Sequence, residues 1–340
     1  MDDIKIIGIG CACRCGNSIS EIVNNLNNSS INATMPLKFD VNLPKSLKRK
    51  SDRDTLLGVY GVQGALLDSG IKSQEIDSTK IGTIFSYAHG TVDTSLKFSS
   101  QINNDREFCS PSLFSKTVNN AMLGIICMAY NFKGVSTMLV GSNNLPLSIT
   151  LLNEKKAEYI FSGYVEGYSE ELFNSFREKR KSEYEIFESS VCFLITNQDV
   201  NEYYCRIINY SEQSIGVSFW DEKTEECSRK LSACINSCIG NFDEHIDVVI
   251  PAFVEGRFHD MEWNLIKKYH AGVISIDNIK EKFGETMGGS LSVNLMIASL
   301  LLKDTFSMLS EDKCTNKTIN NILVCGIDDT GNYICILVSR

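Results

Sequence analysis

The sequence predicts an α/β protein in which helices and strands are stacked in alternating layers. Short runs rich in aliphatic and β-branched residues alternate along the chain with longer segments of helical period. One series of such elements fills residues 1–200, and a second series of similar order fills 201–340. With 340 residues, 43% of them hydrophobic, the chain is long enough to bury a large core as one compact unit.

Residues 5–10 read as the first strand and 18–26 as a short helix. Ser51-Asp52-Arg53-Asp54 has the form of a capping box. It opens a long amphipathic helix through Leu56, Leu57, Tyr60, Val62 and Leu67, which Gly70 stops. Residues 80–87 form a strand. Residues 117–132 form a strongly apolar helix ended by Gly134. Residues 136–141 are a strand turning into another helix, and 158–163 and 191–196 are further strands. The second series begins with a strand at 204–210, a helix at 223–238, a strand at 247–253 and a helix at 260–269. A short strand at 273–276, the apolar helix 290–302 and strands at 321–326 and 333–338 complete it. The similar order suggests an internal duplication at the level of fold, although the halves share no quotable motif.

The formal net charge of −9 argues against a general nucleic-acid binder, because phosphate contacts need clustered Lys and Arg. The one basic cluster is Lys45-Ser46-Leu47-Lys48-Arg49-Lys50, just before the long helix. It reads either as a solvated loop or as a docking patch for an acidic partner. The N-terminus is acidic and leads straight into a strand, unlike a signal peptide. The longest apolar runs, such as 295–302, are too short to span a bilayer. Mean hydropathy is −0.08, and a cytoplasmic protein is expected, with no membrane and no nucleic-acid partner.

Thirteen cysteines, several in apolar contexts (Cys127, Cys192, Cys325, Cys335), are expected to be reduced and mostly buried. Cys11, Cys13 and Cys15 alternate, which in a strand places them on one face. With no Cys-x-x-Cys knuckle and no second ligand pair, no metal is expected. Gly8-Ile9-Gly10 lacks the third glycine and the acidic partner of a dinucleotide fingerprint, and reads as a tight turn. His89-Gly90-Thr91 reads as a loop. In His259-Asp260-Met261-Glu262, Asp260 is expected to cap a helix rather than join an acid–base cluster.

The segment 134–146 carries the functional reading. Gly134-Val135-Ser136-Thr137-Met138-Leu139-Val140-Gly141-Ser142-Asn143 resembles the strand-to-helix elbow of β-ketoacyl synthases, in which a cysteine stands nine residues after the glycine. Other segments in the right order resemble the same family: Ile6-Ile7-Gly8-Ile9-Gly10 with Gly16-Asn17-Ser18, Ser110-Pro111-Ser112-Leu113-Phe114 with Asn119-Asn120-Ala121, and Ser162-Gly163-Tyr164-Val165-Glu166. The resemblance covers nearly the whole chain. It implies a thiolase-like fold of α-β-α-β-α layers built from two similar halves.

The same resemblance locates what is missing. The nucleophile position holds Asn143, and a carboxamide cannot become the thiolate that forms an acyl thioester. Ile250-Pro251-Ala252-Phe253-Val254-Glu255 replaces the first histidine motif, so that Ala252 stands for the histidine. Lys280-Glu281-Lys282-Phe283-Gly284-Glu285-Thr286-Met287-Gly288 retains Lys280 of the second motif but has Glu285 for its histidine. A carboxylate there would repel a developing oxyanion. The glycine-rich gate reads Gly326-Ile327-Asp328-Asp329, without the glycines that let the backbone swing. No catalytic residue is therefore expected.

A ketosynthase subunit without its cysteine resembles the chain length factor, or β subunit, of type II polyketide synthases. That resemblance implies a heterodimer with a catalytic ketosynthase and a tunnel at the interface that limits chain length. It implies no bound cofactor, the substrate riding on the phosphopantetheine of an acyl carrier protein. Phe108, Phe114, Met122 and Met138 are the candidate tunnel or interface residues, with ordinary core packing as the alternative. The other readings are a decarboxylase of malonyl thioesters, using Lys280 and Glu285, and a degenerate subunit of a polyene or fatty-acid-like system.

Overall fold

A computed structural model describes residues 3–26, 31, 33–180, 184–215, 225–254, 256–269, 272–304 and 318–340. The chain runs through β1 (Ile4–Ala12), α1 (Ile19–Leu26), α2 (Lys45–Lys48), α3 (Arg53–Ser69), β2 (Ile81–Tyr87), α4 (Val92–Asn104), α5 (Pro111–Phe114) and α6 (Ala121–Tyr130). It continues through β3 (Ser136–Val140), α7 (Asn144–Asn153), β4 (Tyr159–Glu166), α8 (Glu170–Arg180), β5 (Ser189–Thr196) and β6 (Cys205–Ser214). The remaining elements are α9 (Glu225–Ile239), β7 (Val248–Ile250), α10 (Gly256–Tyr269), β8 (Ile274–Ser275), α11 (Ile279–Phe283), α12 (Ser290–Leu302), β9 (Asn321–Ile327) and β10 (Asn332–Ser339).

The strands form one sheet in the order β3-β2-β4-β5-β1-β6-β10-β9-β7-β8. Read outward from the central β1/β6 pair, each direction gives two antiparallel steps followed by two parallel ones. The β1/β6 junction is short: only Ile4–Ile207, Lys5–Arg206 and Ile6–Cys205 pair across it.

Burial on both faces of the strands makes the layers. Along β1, Ile4 and Ile6 face one core; a register shift at Ile7, which turns to the other core, lets Ile9 and Cys11 continue the first face while Ala12 faces the second. The central core holds α7 through Leu145, Ile149 and Leu152, and α12 through Leu291, Leu295 and Leu300. Every residue of α12 is buried, which explains an apolar helix with no polar stripe. The outer cores hold α3 and α6 on one side, and α9 and α10 on the other. The two halves of the sheet, joined at the short β1/β6 junction, thus enclose α7 and α12, and the layers run helix, half-sheet, helix, half-sheet, helix.

Local rules fix most element ends. Asp52 caps α3, its Oδ1 accepting from the Thr55 amide at 2.9 Å, and Gly70 ends that helix in the left-handed conformation. The cap is a single aspartate rather than a reciprocal box, and Leu67, expected on the apolar stripe, is exposed. The expected helix 117–132 is shorter: it starts at Ala121 and is closed by Asn131, not Gly134, with φ 57°. Asp260 is not a cap, because α10 starts four residues earlier at Gly256. Gly8 and Gly10 lie within β1, where a Cβ would strike the Ala65 and Gly61 carbonyl oxygens, so they let α3 pack directly on the strand rather than make a turn. Lys223, the expected start of α9, and Glu255 lie outside the described residues. The helices α4 and α8 had no counterpart among the expected elements; their sequences are polar on average and read as connecting segments.

Candidate functional site

The chain leaves β3, a strand at the sheet edge, through Gly141 and Ser142 and enters α7. Asn143 stands just before the first residue of that helix. Its carboxamide is bonded at both ends to the other half of the molecule: Nδ2 donates to Glu212 Oε2 at 2.6 Å and Oδ1 accepts from Asn332 Nδ2 at 2.9 Å. Glu212 lies on β6 and Asn332 opens β10. The next residue, Asn144, is buried and bridges Ser86 of β2 and Ser162 of β4. The elbow is thus held on both sides by amide side chains. Nothing in the sequence marked Glu212 or Asn332, since each sits past the expected end of a strand or before its expected start.

The loop after β9 docks on the elbow. Asp328 is 2% exposed, and its Oδ2 accepts from the Ser142 amide at 2.8 Å and hydroxyl at 3.0 Å. Its Oδ1 accepts from the Thr330 amide and hydroxyl and from the Asn332 amide, at 2.9, 2.6 and 3.1 Å. One carboxylate therefore folds its own turn and pins it to the elbow. Gly326 keeps its place for packing: a Cβ there would lie 2.4 Å from that of Leu291 on α12.

Ala252 follows β7. Its amide and that of Phe253 donate to the carboxylate of Glu262, which lies on α10, is fully buried and also accepts from the Tyr333 hydroxyl at 2.5 Å. Burial pushes the Glu262 carboxyl above its ordinary range, against the pull of these donors. Glu262, not Asp260, is the acidic residue that orders this loop.

Glu285 lies beyond α11, its backbone hydrogen-bonded to Glu185 and Phe187. Lys280 Nζ donates to Glu285 Oε2 at 2.9 Å, and the Met287 amide donates to Oε1 at 2.9 Å. The side chains are only 19% and 7% exposed, so this is a largely buried ion pair. The carboxylate is neutralised in place instead of facing a ligand.

Two small cavities lie among these groups. One, of about 20 Å³, is bounded by Ala252, Ile276, Lys280, Phe283, Thr286 and Asn294. The other, of about 10 Å³, is bounded by Lys280, Glu285, Met287, Ser290, Asp328 and Asp329. Each has room for about one water molecule and none for an acyl chain. The structure thus gathers Ala252, Lys280, Glu285, Asp328 and Asp329 around adjoining cavities, with Asn143 tied to them through the Ser142–Asp328 contact.

The candidate interface residues separate. Phe108 and Phe114 are 82% and 57% exposed, and Phe114 packs on Phe98 with ring centroids 5.4 Å apart. Met138 lines an open groove of about 740 Å³ with Tyr87, Asn119, Leu123, Cys127 and Val140. Met122 is 3% exposed and packs beneath α3 against Gly58. His89 lies in the loop after β2, where its amide and that of Ala88 donate to the buried Glu166, and its ring meets Phe176 edge-on at 4.8 Å.

Cys11, Cys13 and Cys15 are all buried, and burial pushes the Cys13 thiol up to about 12 and raises the other two further, so they are protonated packing groups. Among the described residues, no three His, Cys, Asp or Glu side chains converge as a metal site requires, and no helix is long and apolar enough to cross a membrane.

No protein-family model matches the sequence, and a search of curated proteins found no match. Solved structures match along the whole chain. A chain of the AntDE:AntF complex, a type II polyketide synthase acyl-carrier protein with its ketosynthase, aligns with TM-score 0.80 at 15% identity over 100% of this chain and 99% of its own. The ishigamide ketosynthase/chain length factor aligns with TM-score 0.81 at 11% identity, over 100% and 99%. The ketosynthase ApeO in complex with its chain length factor ApeC, from Xenorhabdus doucetiae, aligns with TM-score 0.73 at 15% identity, over 99% and 98%. The protein therefore has the thiolase-like fold of the ketosynthases from end to end, with an asparagine tied down at the elbow.

Proposed function

We propose that this chain is a non-catalytic partner subunit of the chain length factor type, which pairs with a catalytic ketosynthase and walls the tunnel into which the partner's growing chain extends. The observation that carries this reading is the engagement of Asn143. Both polar ends of its side chain are used in bonds to Glu212 and Asn332, at the position where the resemblance places the nucleophile. The buried Lys280–Glu285 pair and the cavities of about 20 and 10 Å³ agree with it, because the lysine is already paired and each of these cavities holds about one water molecule. The same pairing weighs against a malonyl-thioester decarboxylase, which needs one of these two groups free to act.

The surface supports pairing. β3 is an edge strand with a free backbone ladder on one side, and Val140 at its end is 57% exposed. Met128, Val118, Phe114 and Phe108 add exposed apolar area on neighbouring elements. Two of the similar structures are ketosynthases with chain length factors, and a third holds an acyl-carrier protein. On this reading the chain works in carrier-protein-dependent polyketide synthesis, binds no cofactor itself, and meets its substrate only as a chain held by the partner and delivered on phosphopantetheine.

Co-expression with a ketosynthase encoded beside it tests the proposal. The expected result is a one-to-one complex that condenses acyl and malonyl thioesters, with no turnover by this chain alone. Condensation by the isolated chain would overturn it, and so would a ketosynthase that is fully active and never binds it.

A further inference from the structure

The hairpin that carries Asp328 also carries an opposed pair of thiols. Cys325 of β9 and Cys335 of β10 face each other directly in the ladder. At the turn end of that ladder the Asp328 amide donates to the Asn332 carbonyl at 3.2 Å, and at the open end the Arg340 amide donates to the Asn320 carbonyl at 2.9 Å. Bonded and non-bonded pairs alternate along antiparallel strands, so counting from either end makes Cys325 and Cys335 a non-bonded pair. Such pairs bring their Cα atoms to about 4.5 Å, within the span of about 4.4–6.8 Å that a disulfide bridges. Both thiols are buried and free, and their sulfurs lie 3.6 Å apart. Closing the bond needs a small rotation of two side chains and no change of register.

A third thiol lies over the pair. Cys234 reaches down from α9, its Sγ donating to the carbonyls of Ser211 at 3.3 Å and Tyr333 at 3.7 Å. Ser211 is the residue opposite Cys335 on β6. A hydrogen bond from Cys335 holds the Cys234 thiol below its ordinary value in spite of burial, whereas burial pushes the Cys325 and Cys335 thiols up. The cluster therefore sets one sulfur that gives up its proton more readily beside two that keep theirs.

We propose that Cys325 and Cys335 close into a reversible disulfide when the chain meets hydrogen peroxide, with Cys234 taking the first oxidation. The Cys234 thiolate attacks one peroxide oxygen, the O–O bond breaks, and the departing hydroxide takes up the proton that the thiol released. The Cys335 sulfur then attacks the sulfur of the Cys234 sulfenic acid, and the hydroxide it displaces leaves as water with the Cys335 proton. Cys325 attacks the Cys335 sulfur in turn, and its proton returns Cys234 to the thiol. Two thiols lose two electrons in all, and one peroxide becomes two waters. The bridge staples the strands just below the Asp328–Asn332 turn, so the oxidised chain holds that turn against the elbow more firmly than the reduced one. This inference is independent of the pairing edge at β3 and stands whether or not the chain pairs with a ketosynthase.

The test exposes the full chain to hydrogen peroxide at neutral pH, blocks the remaining thiols in denaturant and maps cross-linked peptides by mass spectrometry. The expected result is a link between Cys325 and Cys335 that forms in the folded chain and is undone by dithiothreitol. Its absence once the partly exposed Cys109 and Cys127 are oxidised overturns the proposal, as does a link that forms only in denaturant. These readings come from the unaltered chain and need no variant. Cys234→Ser, its fold verified by circular dichroism, is expected to slow the link at least about tenfold. An equal rate overturns the role of Cys234. Hydrogen exchange at the Gly331 and Asn332 amides is expected to slow at least about tenfold on oxidation and to recover on reduction. Unchanged exchange overturns the staple.

Discussion

Asp328 and Ser142 meet across the two halves of the chain: one carboxylate oxygen of Asp328 accepts both the amide and the hydroxyl of Ser142, at 2.8 and 3.0 Å. The other oxygen organises the turn from Thr330 to Asn332, and Asn332 in turn holds Asn143. The place where ketosynthases are expected to have a flexible glycine gate is here a hydrogen-bonded clasp. Replacing Asp328 with alanine strands the buried amide and hydroxyl of Ser142 and unties the Thr330–Asn332 turn, and is expected to lower stability by about 3 kcal/mol. Denaturant unfolding measures this; a change under about 1 kcal/mol would show that the clasp does not hold the elbow.

Lys280 and Glu285 form the second test. Lys280→Met leaves a buried carboxylate without its cation and is expected to cost about 3–5 kcal/mol. The double change Lys280→Met with Glu285→Gln removes both charges and should recover most of that loss. A double-mutant cycle gives the coupling directly, and additive single effects would contradict a mutually dependent pair.

Restoring a thiol at the elbow should not restore chemistry. In Asn143→Cys the new side chain would face the Glu212 carboxylate, which disfavours the thiolate. Peptide mapping after exposure to an acyl thioester is expected to find no acylation at position 143, and alkylation there no faster than at an ordinary thiol. Rapid acylation would mean that the site retains activating groups.

Asp54 makes stability depend on pH. It is partly buried at the start of α3 and accepts from the Gly167 amide at 2.6 Å. Burial, then the charges of Asp52 and Glu166, push its carboxyl well above the ordinary 3.8. The folded protein therefore holds this proton at pH values where the unfolded chain has released it. Its contribution is complete below the ordinary value and falls as pH rises towards the raised one. Asp54→Asn keeps an acceptor for Gly167 and should gain stability over the parent above that window, and nothing below it. Unfolding midpoints followed from about pH 3 to 8 check the sign.

Val140→Arg tests the pairing edge. The side chain is exposed at the end of β3, so the fold should be unchanged while co-purification with a ketosynthase is lost. Retained co-purification would place the interface elsewhere.

The layers of this fold were legible because they rest on period and punctuation. The apolar helix Ser290–Leu302 and the Asp52 cap stand where the sequence puts them. The expected helix 117–132 exceeds α6 at both ends, and at its C-terminus Asn131, not a glycine, adopts the left-handed closing conformation. The site was legible as a set of absences: Asn143, Ala252 and Glu285 stand out against the ketosynthase motifs that the sequence resembles. What replaced the chemistry was not legible. Glu212, Asn332 and Glu262 act over separations of 10 to 189 residues, and no local pattern encodes a partner that distant. Met122 shows the same limit, its α3-facing burial being set by Gly58 rather than by its own helix.

The position of β1 shapes how the molecule is made. It is the first strand of the chain, yet it pairs with β5 from Lys5–Thr196 to Ala12–Ser190 and with β6 at Cys205 to Ile207. Its hydrogen-bonding partners leave the ribosome only after all the residues in between. Until then an apolar segment of nine residues has helix α3 to cover one face and nothing to satisfy its backbone. Assembly is therefore dominated by long-range closure and is slow, with the opening strand the most exposed to mispairing during synthesis.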